Sequence, residues 1–210
     1  MNYIFDFDGT LVDSMPIWSQ QFISVLEQNG IKCPDDFVKI ITPLGNYGTA
    51  EYCTTLGVNM TAEEILEITD ANLYEEYAYN IPAKEYVKEA LIALKEKGHS
   101  LNVLTACPHI RLDVTLKRLG LYELFDNVWS CDDFDFTKSQ PQIYTQTAER
   151  LGVSVKECIF LDDNFNALAA AKESGMTVFG VYDDTSADYK DQIAAISDKY
   201  IYDFRGLLEN

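Results

Sequence analysis

From residue 83 to residue 202, short apolar runs rich in β-formers alternate with patterns of helical period, and this alternation leaves the chain few architectures to choose from. The runs fall at residues 101–104, 127–129, 158–161 and 177–182, with a weaker one at 199–202, and an earlier run at 3–5 opens the chain. Helical patterns at 83–97, 111–119, 142–151 and 167–174 lie between them, closed by Gly98, Gly120, Gly152 and Gly175 as C-terminal caps. Strands separated by helices of this length are βαβ units, so the expected fold class is α/β, a parallel sheet covered by helices on both faces.

The alternation breaks once. Residues 14–82 read as helical without a convincing strand, at 16–29, 37–41, 49–56 and 62–79, the last opened by a capping box of Thr61 and Glu64. This stretch holds two lysines, Lys32 and Lys39, against ten acids. A length of 210 residues suits one main domain carrying an insertion. The expected division is a core of residues 1–13 and 83–210 and a small all-helical cap of residues 14–82. Its entry point, directly after the first strand, suits a lid over a chemical site.

In an open parallel sheet, ligands bind beyond the carboxyl ends of the strands, so what each strand ends on matters most. The first run ends on Asp6, with Asp8 in the turn that follows. Two residues of extended chain span about 6.6 Å, which lets both carboxylates face one small site. The run "LNVLTACPH" ends on Thr105, with the adjoining amides of Ala106, and "CIFLDDN" ends on Asp162 and Asp163. Between them "FDFTKSQPQIY" supplies Lys138. Carboxylates about 5 Å apart repel by roughly 3 kcal/mol per pair at an effective dielectric near 20, so such a cluster calls for a cation and a lysine. Oxygen donors with no His or Cys suit Mg²⁺. A nucleophilic carboxylate, a second carboxylate, a hydroxyl, a lysine and Mg²⁺ together transfer a phosphoryl group.

At these residues the chain resembles the haloacid dehalogenase-like hydrolase superfamily, in its branch of small capped phosphatases similar to phosphoglycolate phosphatase and β-phosphoglucomutase. The motifs run in order: "DFDGT" at residues 6–10, "LTA" at 104–106, Lys138 in "TKSQP", and "FLDDN" followed by "AAAKESGM". The resemblance implies a Rossmann-like core with a helical cap, and a phosphatase acting on a small phosphorylated metabolite. It implies that Asp6 forms an aspartyl-phosphate and that Asp8 protonates the leaving oxygen, then activates water. Thr105, Ala106 and neighbouring amides would hold the phosphoryl oxygens, Lys138 would steady nucleophile and phosphate, and Gly9 would allow a tight turn beside them. Mg²⁺ would be bound by Asp6, the backbone carbonyl of Asp8 and Asp163, with Asp162 assisting directly or through water.

Two departures from the family pattern bear on loop rigidity: Lys138 is followed by Ser139, Gln140 and Pro141, and Asp163 by Asn164 with Ala167 beyond. Asp8 speaks against dehalogenation, whose halide leaving group needs no proton. A phosphosugar mutase and a non-catalytic phosphate- or Mg²⁺-binding regulator stay open. A receiver-type domain phosphorylated on Asp6 would need neither the insertion nor Asp8. Specificity is expected from the cap, chiefly residues 42–52, where two glycines suggest a loop close to the cleft bearing Asn46, Tyr47 and Tyr52. That set suits a monophosphate with a neutral, hydroxyl-bearing leaving group.

The remaining features exclude rather than assign. A net charge of −18 argues against nucleic acid and anionic membrane surfaces as partners. No leader pattern or membrane-length apolar run occurs, so a cytoplasmic location is expected. Five cysteines without a C-x-x-C pair suggest reduced thiols, of which Cys107, beside Thr105, is closest to a motif. His109 follows the same motif and is a candidate for the cleft, Trp18 reads as core, and Asp132, Asp133 and Asp135 read as a solvated loop. Oligomeric state is not legible.

Overall fold

The computed structural model describes residues 1–42 and 44–208. The described chain divides into two compact units, one of Met1–Asp13 and Pro82–Asn210 and one of Ser14–Ile81.

The first unit is built on six parallel strands: β1 (Asn2–Phe5), β2 (Ser100–Thr105), β3 (Asn127–Ser130), β4 (Cys158–Asp162), β5 (Thr177–Val181) and β6 (Lys199–Ile201). Their spatial order is β3-β2-β1-β4-β5-β6. β1 therefore lies at the centre, with Phe5 level with Val103 on one side and Leu161 on the other. The Asp6 amide continues the ladder onto the Leu161 carbonyl at 2.9 Å. Parallel strands covered on both faces carry nearly continuous apolar sequence; Ile4, Phe5, Val103, Leu104, Phe160, Leu161 and Val178 are all fully buried. One core cluster joins Ile4, Leu104, Tyr144, Phe160, Leu168 and Val178, with Ile193 packed among them.

The helices of this unit are Val87–Glu96, His109–Arg118, Pro141–Leu151, Phe165–Ser174 and Lys190–Ile196. The first starts four residues later than the sequence pattern suggests. Ala83 bridges to Val12 and the Lys84 amide donates to the Leu11 carbonyl, so residues 83 and 84 are held extended. Tyr86 then turns the chain at φ 63. The helix Lys190–Ile196 is absent from the sequence reading. It is short, and it packs so closely that a Cβ on Gly180 would lie 2.6 Å from Ile193.

The second unit holds four helices, α1 (Met15–Gln28), α2 (Phe37–Ile41), α3 (Gly45–Thr55) and α4 (Ala62–Tyr79), and no strand among its described residues. Phe22, Leu26, Phe37, Ile41, Ala50, Cys53 and Ile65 form its core. Thr61 and Glu64 form the expected capping box, the Thr61 amide donating to Glu64 at 2.8 Å and the Glu64 amide to the Thr61 hydroxyl at 3.2 Å. The loop expected over residues 42–52 is instead largely α3. Gly45 starts the helix at φ 67, a turn that glycine allows, and the interior Gly48 weakens it by about 1 kcal/mol, while Thr49, Ala50 and Cys53 are buried on the inner face. Pro43, within the same stretch, lies outside the described residues. No described helix is long and apolar enough to cross a membrane.

In chain order the core-unit helices are α5 (Val87–Glu96), α6 (His109–Arg118), α7 (Pro141–Leu151), α8 (Phe165–Ser174) and α9 (Lys190–Ile196).

Candidate active site

Parallel pairing puts the carboxyl ends of β1, β2 and β4 side by side, and each end delivers a polar group. Asp6 continues β1 and is 4% exposed, while Asp162 closes β4 and is fully buried, with Asp163 next to it at 7%. Carboxylate oxygens of Asp6, Asp162 and Asp163 all lie within 4.8 Å of one another.

Lys138 enters this cluster from the loop before α7. Its Nζ lies 2.6 Å from Asp6 Oδ1 and donates to Asp162 Oδ2 at 2.8 Å. The contact with Asp6 is ionic, without the alignment of a hydrogen bond. The loop behind Lys138 is pinned, which settles what the Ser139-Gln140 departure does. The Gln140 side chain accepts from the Thr137 amide at 2.9 Å, and the Thr137 and Ser139 hydroxyls meet at 2.9 Å. Pro141 then opens α7 at a position where no amide proton is needed. Below the lysine, the buried Tyr144 hydroxyl lies 2.7 Å from the Lys138 carbonyl and 2.9 Å from that of Ala167, tying this loop to α8.

The departure at Asn164 also has a local cause. Its side chain caps α8 by accepting from the amides of Asn166 and Ala167, while its own amide donates to Asp162 Oδ1 at 2.7 Å. Both Asp162 oxygens thus have partners.

Gly9 makes the tight turn possible. It sits at φ 74, and a Cβ there would fall 2.7 Å from Asp163 Oδ1. The neighbouring Thr10 hydroxyl donates to that same oxygen at 3.1 Å. At the end of β2, Thr105 is buried and its hydroxyl accepts from the Cys107 amide at 3.0 Å, leaving the hydroxyl proton free to point elsewhere. Ala106 is exposed at the tip of this loop. The Asp8 carboxylate stands outside the three-acid cluster. It accepts instead from the buried Cys107 thiol, whose proton is held more tightly through burial first and Asp8 second.

Burial dominates the electrostatics. It raises the Asp162 carboxyl to about 7, helped by the Asp6 charge and opposed by Lys138 and the Asn164 amide. Asp163 is pushed well above the carboxylate range by burial, then by Asp162, Asp6 and Asp183. Burial also disfavours the Lys138 ammonium, yet Asp162 and Asp6 outweigh it and keep the lysine charged. One ammonium cannot neutralise three buried carboxylates. The residual charge, the all-oxygen donor set and the spacing fit a hard divalent cation.

The sequence reading missed Thr10 and an ion pair beside the cluster. Lys84 donates to Asp183 at 2.8 Å and to the Tyr182 carbonyl at 2.9 Å, linking the start of the returning chain to the end of β5. Asp183 follows β5 directly, so the same inspection of strand ends would have found it. The expected specificity residues belong to the other unit. Asn46 accepts from Trp18 Nε1 at 2.6 Å, Tyr52 stacks on Phe37, and Tyr47 is 52% exposed. Trp18 packs edge-on against Phe22, as a core residue would.

Known proteins show where this chain belongs. The sequence profile of the haloacid dehalogenase-like hydrolases matches residues 3–181. Phosphoglycolate phosphatase of Haemophilus influenzae (strain 86-028NP) is 30% identical over 84% of this chain and 83% of its own. Hexitol phosphatase B of Escherichia coli (strain K12) is 27% identical over 82% of this chain and 79% of its own. The crystal structure of a predicted phosphoglycolate phosphatase from Haemophilus somnus 129pt superposes with a TM-score of 0.83 at 24% identity, covering 99% of this chain and 96% of that one. With three acids and a lysine gathered where the family motifs lie, and a profile spanning most of its length, the chain belongs to the haloacid dehalogenase-like hydrolase family.

Proposed function

We propose that this chain is a Mg²⁺-dependent phosphatase that hydrolyses a small phosphorylated metabolite through an aspartyl-phosphate on Asp6. The observation that carries the reading is the contact of Lys138 with both Asp6 and Asp162 inside a buried three-carboxylate cluster. Asp6, the Asp8 carbonyl and Asp163 would hold Mg²⁺, which when bound would supply positive charge against the phosphoryl group. Both Asp162 oxygens already have partners, which favours an indirect part for that residue.

In the first step an Asp6 carboxylate oxygen attacks phosphorus while the bond from phosphorus to the leaving oxygen breaks, and Asp8 gives that oxygen its proton. In the second, Asp8 takes a proton from water as the water oxygen attacks phosphorus and the bond to Asp6 breaks. Lys138, 2.6 Å from Asp6, holds the nucleophile in place and offsets charge on the phosphoryl oxygens. Thr105, with the amides around Ala106, orients those oxygens, and Gly9 leaves room for Asp163.

Specificity is assigned to the helical unit, where Asn46 and Tyr47 are both exposed. A neutral, hydroxyl-bearing leaving group is the proposed class; the relative named for hexitol phosphatase supports it, and the one named for phosphoglycolate points the other way. The test is hydrolysis of an aryl phosphate with excess Mg²⁺ and then with EDTA, followed by a panel including a hexitol phosphate and phosphoglycolate. Expected are metal-dependent release of inorganic phosphate, loss of turnover in Asp6→Asn, and preference for the hexitol ester. Turnover in EDTA, an isomeric phosphate as product, or a wide preference for phosphoglycolate would each overturn the corresponding part.

A further inference from the structure

His109 stands in the first turn of α6, four residues after Thr105, and both of its ring nitrogens meet carboxylates. Nδ1 is 3.2 Å from Asp113 Oδ1 on the same helix, and Nε2 is 2.8 Å from Asp133 Oδ2 in the 3-10 turn Cys131–Asp133 that follows β3. An imidazole donates from both nitrogens only when protonated. Partial burial disfavours that charge, but the hydrogen bonds and charges of Asp133 and Asp113 outweigh it and raise the ring above its ordinary 6.5.

Asp133 is itself held in place. Its Oδ2 accepts from the Ser130 amide at 2.9 Å, and Arg150 of α7 donates to its carbonyl at 2.6 Å while stacking on Phe134. The charged groups around the imidazole are therefore Asp113 from α6, Asp133 with its neighbour Asp132 from the turn, and Arg150 from α7. An exposed His–Asp pair usually contributes little to stability. This one differs in what it joins, because Asp133 lies five residues before Lys138.

We propose that His109 is a positioning residue: by bridging Asp113 and Asp133 it fixes the loop that carries Thr105 relative to the loop that carries Lys138. The proposal rests on the reading of those two residues as the phosphate-handling pair. The bridge is closed where the imidazole carries its second proton and opens as pH rises through the raised imidazole pKa, so the alignment of the two loops weakens toward alkaline pH.

The chain has two histidines, which makes the test direct. His99 is shifted below 6.5 by burial, then by the amino terminus and Lys97, so NMR titration of the intact protein separates the two rings. Expected are one ring titrating above 6.5 and one below, with the higher value falling in Asp133→Asn. In His109→Gln, the amide resonances of residues 105–107 and 138 shift, and kcat for an aryl phosphate drops about tenfold with a smaller change in KM. His109→Lys, cationic to far higher pH, retains the neutral-pH kcat and removes the alkaline loss that the wild type shows. Two rings both titrating at or below 6.5, unmoved amides at 105–107 and 138, or an alkaline limb identical in His109→Lys would overturn the proposal. Should the wild type hydrolyse no phosphate ester, the phosphatase reading fails, while the titration and amide shifts still decide the bridge. Should His109→Gln not fold, the wild-type titration and His109→Lys decide it.

Discussion

Replacing Lys138 by methionine removes the ammonium that, among the described residues, contacts both Asp6 and Asp162, while keeping a similar volume. At 2.6 and 2.8 Å from Asp6 and Asp162, each ionic contact is worth about 6 kcal/mol of gross attraction at an effective dielectric near 20. Lysine desolvation cancels part of that, and breaking a buried pair by deleting one partner costs about 3–5 kcal/mol net. For a domain of this size that is a fall in Tm of roughly 10 °C. The loss should depend on pH in a fixed direction. Asp162 has a folded-state pKa raised to about 7 from 3.8, so its ionisation opposes folding: this contribution is absent below the unfolded value and grows as pH climbs toward the folded one. Without the lysine the carboxyl rises further, so Lys138→Met should lose more stability at pH 8 than at pH 5, and excess Mg²⁺ should restore part of it. Thermal unfolding of wild type and variant at both pH values, with EDTA and with Mg²⁺, measures this. A Tm change that is small, or equal at both pH values and indifferent to Mg²⁺, would refute the electrostatic account of the cluster.

Three further outcomes are expected. Gly9→Ala forces a side chain onto φ 74 and drives a Cβ to 2.7 Å from Asp163 Oδ1, so stability should fall by about 1–2 kcal/mol and the Mg²⁺ concentration for half-maximal activity should rise about tenfold, read by denaturation in EDTA and by metal titration. Gly180→Ala would set a Cβ 2.6 Å from Ile193 and 2.7 Å from the Tyr200 ring; chemical denaturation should show a loss of about 1–3 kcal/mol, from overpacking alone. Asp8→Asn should slow alkyl phosphates far more than aryl phosphates, whose leaving oxygens need less protonation, and equal losses in kcat would remove Asp8 as the acid.

The candidate site was legible because its polar residues sit where parallel strands stop, and the strands could be found by their apolar runs. Asp6, Thr105, Asp162 and Asp163 each stood out by position relative to such a run, and Lys138 by its place just before a helical pattern. What escaped was set by tertiary contact. No local signal shows that Lys84 reaches Asp183 across 99 residues of chain, or that Ala83 is held extended by Val12. The glycines of residues 42–52 suggested a loop because propensity is local, whereas α3 forms through burial of Thr49, Ala50 and Cys53. The short α9 lacks enough turns to display a period, and only its closeness to Gly180 marks it. His109 was visible as a neighbour of Thr105, but its bridge to Asp133 spans 24 residues and needed the fold.

In the proposed mechanism Asp6 is the nucleophile, beside Lys138, Asp162 and Asp163. Rapid acid quench during turnover of an aryl phosphate, followed by mass spectrometry of the N-terminal peptide, tests it most directly. A phosphoryl group on Asp6, absent from Asp6→Asn, is expected; a phosphoryl group on any other side chain, or undiminished turnover in that variant, would rule out Asp6 as the nucleophile.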